Sequence, residues 1–203
     1  MKLYIAPVSP YARMARIVVI EKGLQNRVEI ITAQTRVENS PYYRINPSGR
    51  VPHLIRDDGV GLEESSLICA HLDHLDGKPV FDLPAGEEGW ELRRLEASAR
   101  SMMDGLAVWL RETRRPPGES SPTVIRHEAD RRARMNALWE TQIDHPLMRG
   151  KLNMAQLTLA CALGFEGQIP GVESGTRPPK LNAWFGAIAA RPSFVATAPP
   201  AHR

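Results

Sequence analysis

A proline at the entrance of a short strand constrains this chain more than any other single feature. Val51-Pro52 stands between a turn, Asn46-Pro47-Ser48-Gly49, and the apolar run His53-Leu54-Ile55. Proline is tolerated at the first residue of a strand, where no ladder donor is required. X-Pro is also the peptide bond whose cis form costs little, about 0.5–1 kcal/mol, so a cis Val51-Pro52 bond is an open option. Asp57-Asp58-Gly59-Val60-Gly61 then reads as a hairpin-type turn into a second strand. Glu64-Ser65 falls where that strand hands over to a helix beginning near Ser65. Backbone donors at a helix start, together with a hydroxyl, suit a carboxylate ligand. Ordinary strand entry and ordinary capping are the alternative reading of the same residues.

The residues before this stretch read as strand, helix, strand. Residues 2–6 form a strand ended by Pro7. Ser9 as N-cap and Pro10 at the first helical position open a helix over residues 11–22, and Gly23 closes it. Residues 28–32 are a second strand and 41–46 an irregular helix. A third helix spans 65–75, with Ile68, Leu72 and Leu75 as its apolar stripe; Cys69 beside that stripe reads as an inert core thiol. Residues 77–88, rich in Gly, Pro and acids, read as a linker. From Trp90 onward only helical patterns occur. Leu95, Ala99, Met102, Met103, Leu106 and Leu110 mark a long helix, residues 121–143 a second one with a solvated charged face, and 157–165 an apolar one. A last helix with a proline-terminated exit runs through 182–194.

Composition narrows the function classes. The chain has 203 residues, 42% hydrophobic and 24% charged, which fits one or two soluble globular domains. No apolar run approaches the roughly 18 residues of a membrane span. The start, Met1-Lys2-Leu3-Tyr4-Ile5-Ala6-Pro7, has no signal-type apolar region, so a cytoplasmic location is expected. Cys69 and Cys161 lie far apart without metal-like spacing, and His71 and His74 lack ligand partners at such spacing; no metal site is expected. The net charge of +3 is mild. Basic pairs such as Arg93-Arg94 and Arg131-Arg132 alternate with acids, which argues against nucleic acid and leaves room for a small anionic ligand.

Val51-Pro52 followed by strand, hairpin and strand, with Glu64-Ser65 opening a helix, resembles the glutathione-binding half of the glutathione S-transferase superfamily. The resemblance implies an α+β chain: a thioredoxin-like β-α-β-α-β-β-α domain over residues 1–77, a linker over 78–88 and an all-helical bundle over 89–203. In that family the Val-Pro bond is cis, the valine backbone pairs with the cysteinyl part of glutathione, and the acidic-Ser pair holds its γ-glutamyl group. Carried onto this chain, the binding residues are Arg50, Val51, Pro52, Glu64 and Ser65, with Arg50 either a side-chain contact or a solvated arginine. The loop Ser9-Pro10-Tyr11 matches the family's sulfur-contacting loop. Ser9 occupies the place of the first cysteine in the Cys-Pro-Tyr-Cys of glutaredoxins and omega-type transferases, and Ala12 the place of the second, which disfavours dithiol redox chemistry. Ser9 is thus the expected catalytic residue, stabilising the glutathione thiolate. Ser9 as N-cap alone, and Tyr4 or Tyr11 as the active hydroxyl, stay open.

Asn153 to Gln156 resembles the family's N-capping box, and Ala183-Trp184-Phe185 through Arg191-Pro192-Ser193-Phe194 is similar to the tail of a bacterial transferase-like subgroup. The implied activity is conjugation of reduced glutathione to a small hydrophobic electrophile in detoxification, by a homodimer without metal. A non-catalytic glutathione-binding or protein-interaction module on the same fold and a glutathione-dependent reductase are the rival expectations.

Overall fold

Strand β1 (Lys2–Ile5) alternates sides, with Leu3 and Ile5 buried and Lys2 exposed, the period of a strand packed on one face. In the computed structural model, which describes residues 1–82, 86–172 and 176–200, β1 turns through an Ala6–Ser9 hydrogen bond of 2.9 Å into helix α1 (Pro10–Glu21). Ala12, Met14, Ala15, Ile17 and Val18 of α1 are wholly buried. Gly23, at φ +64°, ends the helix in the left-handed conformation that glycine adopts without steric cost. β2 (Glu29–Thr32) returns parallel to β1. The irregular helix expected at 41–46 is a single 3-10 turn, Pro41–Arg44. β3 (His53–Ile55) runs antiparallel to β1, and β4 (Gly61–Leu62) antiparallel to β3. The sheet order is β2-β1-β3-β4. Helix α2 (Ser65–His74) follows, packed on α1 through a face that includes Ile68 and Leu72.

Asp73 fixes the chain where it leaves α2. Its buried carboxylate accepts from the Val80 N–H at 2.9 Å and the Phe81 N–H at 3.0 Å, and lies 3.4 Å from the Lys22 ammonium. A buried carboxylate is tolerated only when charge and hydrogen bonds are both answered, as they are here.

The contacts divide the chain into two units, Met1–Phe81 with Pro192–Arg203, and Asp82–Arg191. The second unit is helical among its described residues. α3 (Glu87–Thr113) begins inside the segment read as linker, of which residues 83–85 lie outside the described residues; Glu87 and Glu88 suit the positive end of a helix. Leu92, Leu95, Ala99, Met102, Met103 and Leu106 form its buried stripe. α4 (Pro122–Gln142) starts at a Ser121 cap and buries Trp139 completely. A short α5 (Pro146–Arg149) leads to α6 (Met154–Glu166), apolar nearly all round and therefore central. α3 packs along α6. α7 (Pro179–Ala189) completes the unit.

Asn153 caps α6 by accepting from the Gln156 N–H at 3.1 Å. The reciprocal half of the expected capping box is replaced. Gln156 Nε2 donates to the Leu147 carbonyl at 2.9 Å, a bond its amide can make and a carboxylate at that position could not. At the other end of α6, the fully buried Glu166 carboxylate is paired with Arg132 and Arg177.

The chain beyond Pro192 departs from the sequence-based division, which assigned all of 89–203 to the helical bundle. α8 (Pro192–Ala196) groups with the first unit. Buried Arg13 of α1 explains this: it donates to the Phe194 carbonyl at 2.9 Å and lies 5.5 Å from the Phe194 ring centre. Pro192, expected to end the last helix, instead starts a new one, since proline suits a first helical turn.

Asp73→Ala should lower the unfolding free energy by about 3 kcal/mol, because a buried and a part-buried N–H donor and a neighbouring cation lose their acceptor. Urea unfolding checks this, with Asp76→Ala, a surface partner of the same Lys22, expected to have the smaller effect.

Candidate functional site

Strand registers bring three separate segments to one edge of the sheet. Tyr4 pairs with His53 and Leu54 with Leu62. The C-terminal ends of β1 and β4 therefore flank the N-terminal end of β3. Ser9 follows β1, Val51-Pro52 precedes β3, and Glu64-Ser65 follows β4. With neighbouring strands about 4.8 Å apart, these segments share one rim, and α1 and α2 both start from it. Each helix start carries partial positive charge and N–H donors that have no acceptor within the helix.

Ser9 is the N-cap of α1 and half-buried, its Oγ accepting from the Ala12 N–H at 3.2 Å. A hydroxyl has one donor and two acceptor sites, so the capping bond leaves its O–H available for a negatively charged atom. The rival hydroxyls sit differently. Tyr4 lies on β1 with its ring centre 5.6 Å from that of Tyr42, and Tyr11 is the second residue of α1.

Val51-Pro52 is a cis peptide, with Pro52 buried and Val51 half-buried. The Arg50 side chain is exposed, but its backbone is held firmly. The Arg50 carbonyl accepts from Tyr42 Oη at 2.5 Å and Asn46 Nδ2 at 3.0 Å, and its N–H donates to Ser48 Oγ at 3.2 Å. Burial, its largest influence, raises the Tyr42 phenol pKa, which keeps this donor protonated. Asn46 Nδ2 also donates to Glu63 Oε2 at 2.6 Å, and Ser48 Oγ donates to the same oxygen. Those two bonds, Ser48 first, hold the Glu63 carboxyl below its ordinary range. A carboxylate with a lowered folded pKa contributes stability above its unfolded pKa, and that contribution is lost as pH falls through the folded value. His53 is buried with neither ring nitrogen hydrogen-bonded, and burial lowers its pKa against the opposing influence of Glu63.

Glu64 has φ +94° and ψ 143°, a backbone region that non-glycine residues rarely enter. Its carboxylate folds back over the start of α2. One oxygen accepts from the Ser65 N–H at 2.7 Å and hydroxyl at 2.8 Å, the other from the Ser66 N–H at 3.3 Å and hydroxyl at 2.7 Å. The start of α2 thus fits a carboxylate, since it already surrounds one. Arg13 is buried against Phe194 and faces a structural task.

Sequence reasoning missed Tyr42, Asn46, Ser48 and Glu63. Asn46 and Ser48 belong to a recognisable Asx-type turn, the Ser48 N–H donating to Asn46 Oδ1 at 3.2 Å. Glu63 offers no local signal, because its partners lie on a different turn.

Known proteins resemble the chain along its whole length. Residues 3–80 match the family description "Glutathione S-transferase, N-terminal domain". A glutathione transferase family member from Pseudomonas fluorescens Pf-5, solved with S-(propanoic acid)-glutathione, is 31% identical with a TM-score of 0.86, covering 99% of this chain and 100% of its own. A glutathione S-transferase from Methylobacillus flagellatus KT, solved with glutathione bound, is 27% identical with a TM-score of 0.86, covering 98% and 99%. The uncharacterized GST-like protein YibF of Escherichia coli is 28% identical over 98% of this chain and 99% of its own length.

The backbone at Glu64 generates a stability prediction. Glu64→Ala and Glu64→Gly both remove the cap, but only glycine relieves the strained conformation. Glu64→Gly should be the more stable of the two in urea unfolding by about 2 kcal/mol, more than the roughly 1 kcal/mol by which glycine exceeds alanine at an unstrained N-cap. An alanine variant at least as stable as the glycine one would contradict the strained backbone.

Proposed function

The chain belongs to the glutathione S-transferase superfamily, and from that premise we propose that it binds reduced glutathione along the β1–β3–β4 rim and conjugates it to a small hydrophobic electrophile. The observation that carries this reading is the convergence of the two helix starts and the Val51 strand entrance on one edge. Glutathione carries two carboxylates and a thiol that ionises, and this edge offers donors at matching places. Val51 supplies backbone groups to the cysteinyl unit. Ser65 supplies its N–H and hydroxyl to the γ-glutamyl carboxylate once the Glu64 carboxylate, which holds both in the ligand-free chain, swings off them. Glu64 presents a carboxylate to the adjacent amino group, and Arg50 lies near enough along the chain to add a side-chain contact. The way α2 receives the Glu64 carboxylate supports the fit.

Ser9 has the chemical task. A thiol with an unperturbed pKa of about 8.5 is only a few per cent ionised at neutral pH, and reaching about 6.5 needs roughly 2.7 kcal/mol of preferential stabilisation of the thiolate. A helix start contributes about 0.3–2 kcal/mol, and a hydrogen bond to a charged group about 1.5–3 kcal/mol. Ser9 O–H and the start of α1 together cover that requirement. The sulfur then forms a bond to the electrophilic carbon while the leaving group departs with its electron pair; the thiol proton has already passed to solvent. Ser9 is therefore a stabiliser and not the nucleophile. Both cysteines are buried and form no disulfide with each other, and neither occupies the Ser9 or Ala12 position, so this reading employs no protein thiol.

Ser9→Gly tests the assignment cleanly, because glycine replaces serine at an N-cap for only a few tenths of a kcal/mol. With a generic electrophile, kcat/KM should fall about 10- to 100-fold, glutathione affinity should change little, and the kinetic pKa of the bound thiol should rise. A pH–rate profile identical to wild type would assign Ser9 to capping alone. Glutathione binding without turnover would favour the binding-module reading, and reduction of mixed disulfides the reductase reading.

A further inference from the structure

We infer that Glu63 is a positioning residue that sets the orientation of the Arg50–Val51 peptide relative to the start of α2, and thereby governs affinity for glutathione. The inference rests on the glutathione reading above and assigns a task to a side chain that reading does not use.

In a trans peptide unit the N–H and C=O point in opposite directions. The Arg50 carbonyl is pinned by Tyr42 Oη and Asn46 Nδ2, so the Val51 N–H of the same unit is aimed away from them. Ser48 Oγ holds the other side of Arg50 by accepting its N–H. Two of these three holding groups, Asn46 and Ser48, are themselves oriented by Glu63. Its Oε2 atom receives both the Asn46 amide and the Ser48 hydroxyl, while Asn46 Oδ1 is occupied by the Ser48 N–H. Removing the Glu63 acceptor frees the amide and the hydroxyl to turn, leaving Tyr42 as the remaining fixed donor on Arg50.

Glu63 is the residue immediately before Glu64, whose backbone and carboxylate open α2. One carboxylate therefore ties the α2 start to the turn that precedes Val51, across a separation of 17 residues to Asn46 and 15 to Ser48. A ligand that touches Val51 and Ser65 together needs that spacing fixed before it binds. Preorganisation of this kind lowers the cost of binding and leaves the chemical step alone. Both accepted bonds converge on one oxygen, so a glutamine, whose carbonyl oxygen can take that place, should preserve them without the charge.

The test combines calorimetric titration with reduced glutathione and steady-state kinetics. Glu63→Ala should weaken glutathione binding about 10-fold, the size of one lost hydrogen bond to a charged group, and raise KM for glutathione alike, with kcat within about 2-fold of wild type. Glu63→Gln should stay within about 3-fold of wild-type affinity. Combining Glu63→Ala with Asn46→Ala should weaken binding little beyond Asn46→Ala alone, because both act through one chain of contacts. Ser48→Ala, at an exposed site, gives an independent variant should Glu63→Ala fail to fold, and is expected to weaken binding about 3-fold. Wild-type affinity in Glu63→Ala, or a fall in kcat with unchanged KM, overturns the inference while leaving the glutathione reading intact. Equal losses in the alanine and glutamine variants also overturn it, since the charge would then be acting directly. A wild-type protein that binds no glutathione overturns both.

Discussion

The pairing of β1 with β3 is the constraint on which the rest of the first unit depends. Tyr4 opposite His53 and Leu3 opposite Leu54 place two apolar side chains, both 0% exposed, on the covered face. A slip of one residue would turn β3 over and exchange Leu54 for His53 in the core. Full burial of a leucine is worth about 1.5–3 kcal/mol, so the register is strongly specified. The same register decides the position of everything outside the strands. It sets Pro52 beside the end of β1, and through the β3–β4 hairpin it returns Glu63, Glu64 and Ser65 to that end.

Two helices then start from one rim, and each is capped by a side chain with chemistry to spare. Ser9 accepts from α1 and keeps its proton to donate. Glu64 closes α2 with a carboxylate, from a backbone conformation that costs about 1–3 kcal/mol in an ordinary residue. Strain of that size persists when the surroundings over-determine it. Here the β4 exit, the Glu63 bonds and the four donors at the α2 start provide that determination. The charge pattern also has a clear sense: helix starts favour anions, and the chain's own acid already occupies one.

Much of this was legible in the sequence because it depends on neighbours. Ser9-Pro10 announces a helix start through capping chemistry that spans three residues. The long stripe of α3 declares itself by spacing, and Val51-Pro52 with Glu64-Ser65 marks the family. What escaped depends on distance along the chain. Glu63 is one acid in Leu62-Glu63-Glu64, and nothing beside it reveals that Asn46 and Ser48 reach it. The same holds for Arg13, a helical arginine whose acceptors are more than 180 residues away; they draw the chain end onto the first unit. Gln156 followed a local rule, but the Leu147 carbonyl competed for its amide and won.

The most direct test of the account is a crystal structure of the protein with reduced glutathione. The account predicts the sulfur within hydrogen-bond distance of Ser9 Oγ, the cysteinyl backbone paired with Val51, and the γ-glutamyl carboxylate on the Ser65 N–H and hydroxyl. Glutathione bound elsewhere, or a rim that stays empty at millimolar ligand, would contradict it.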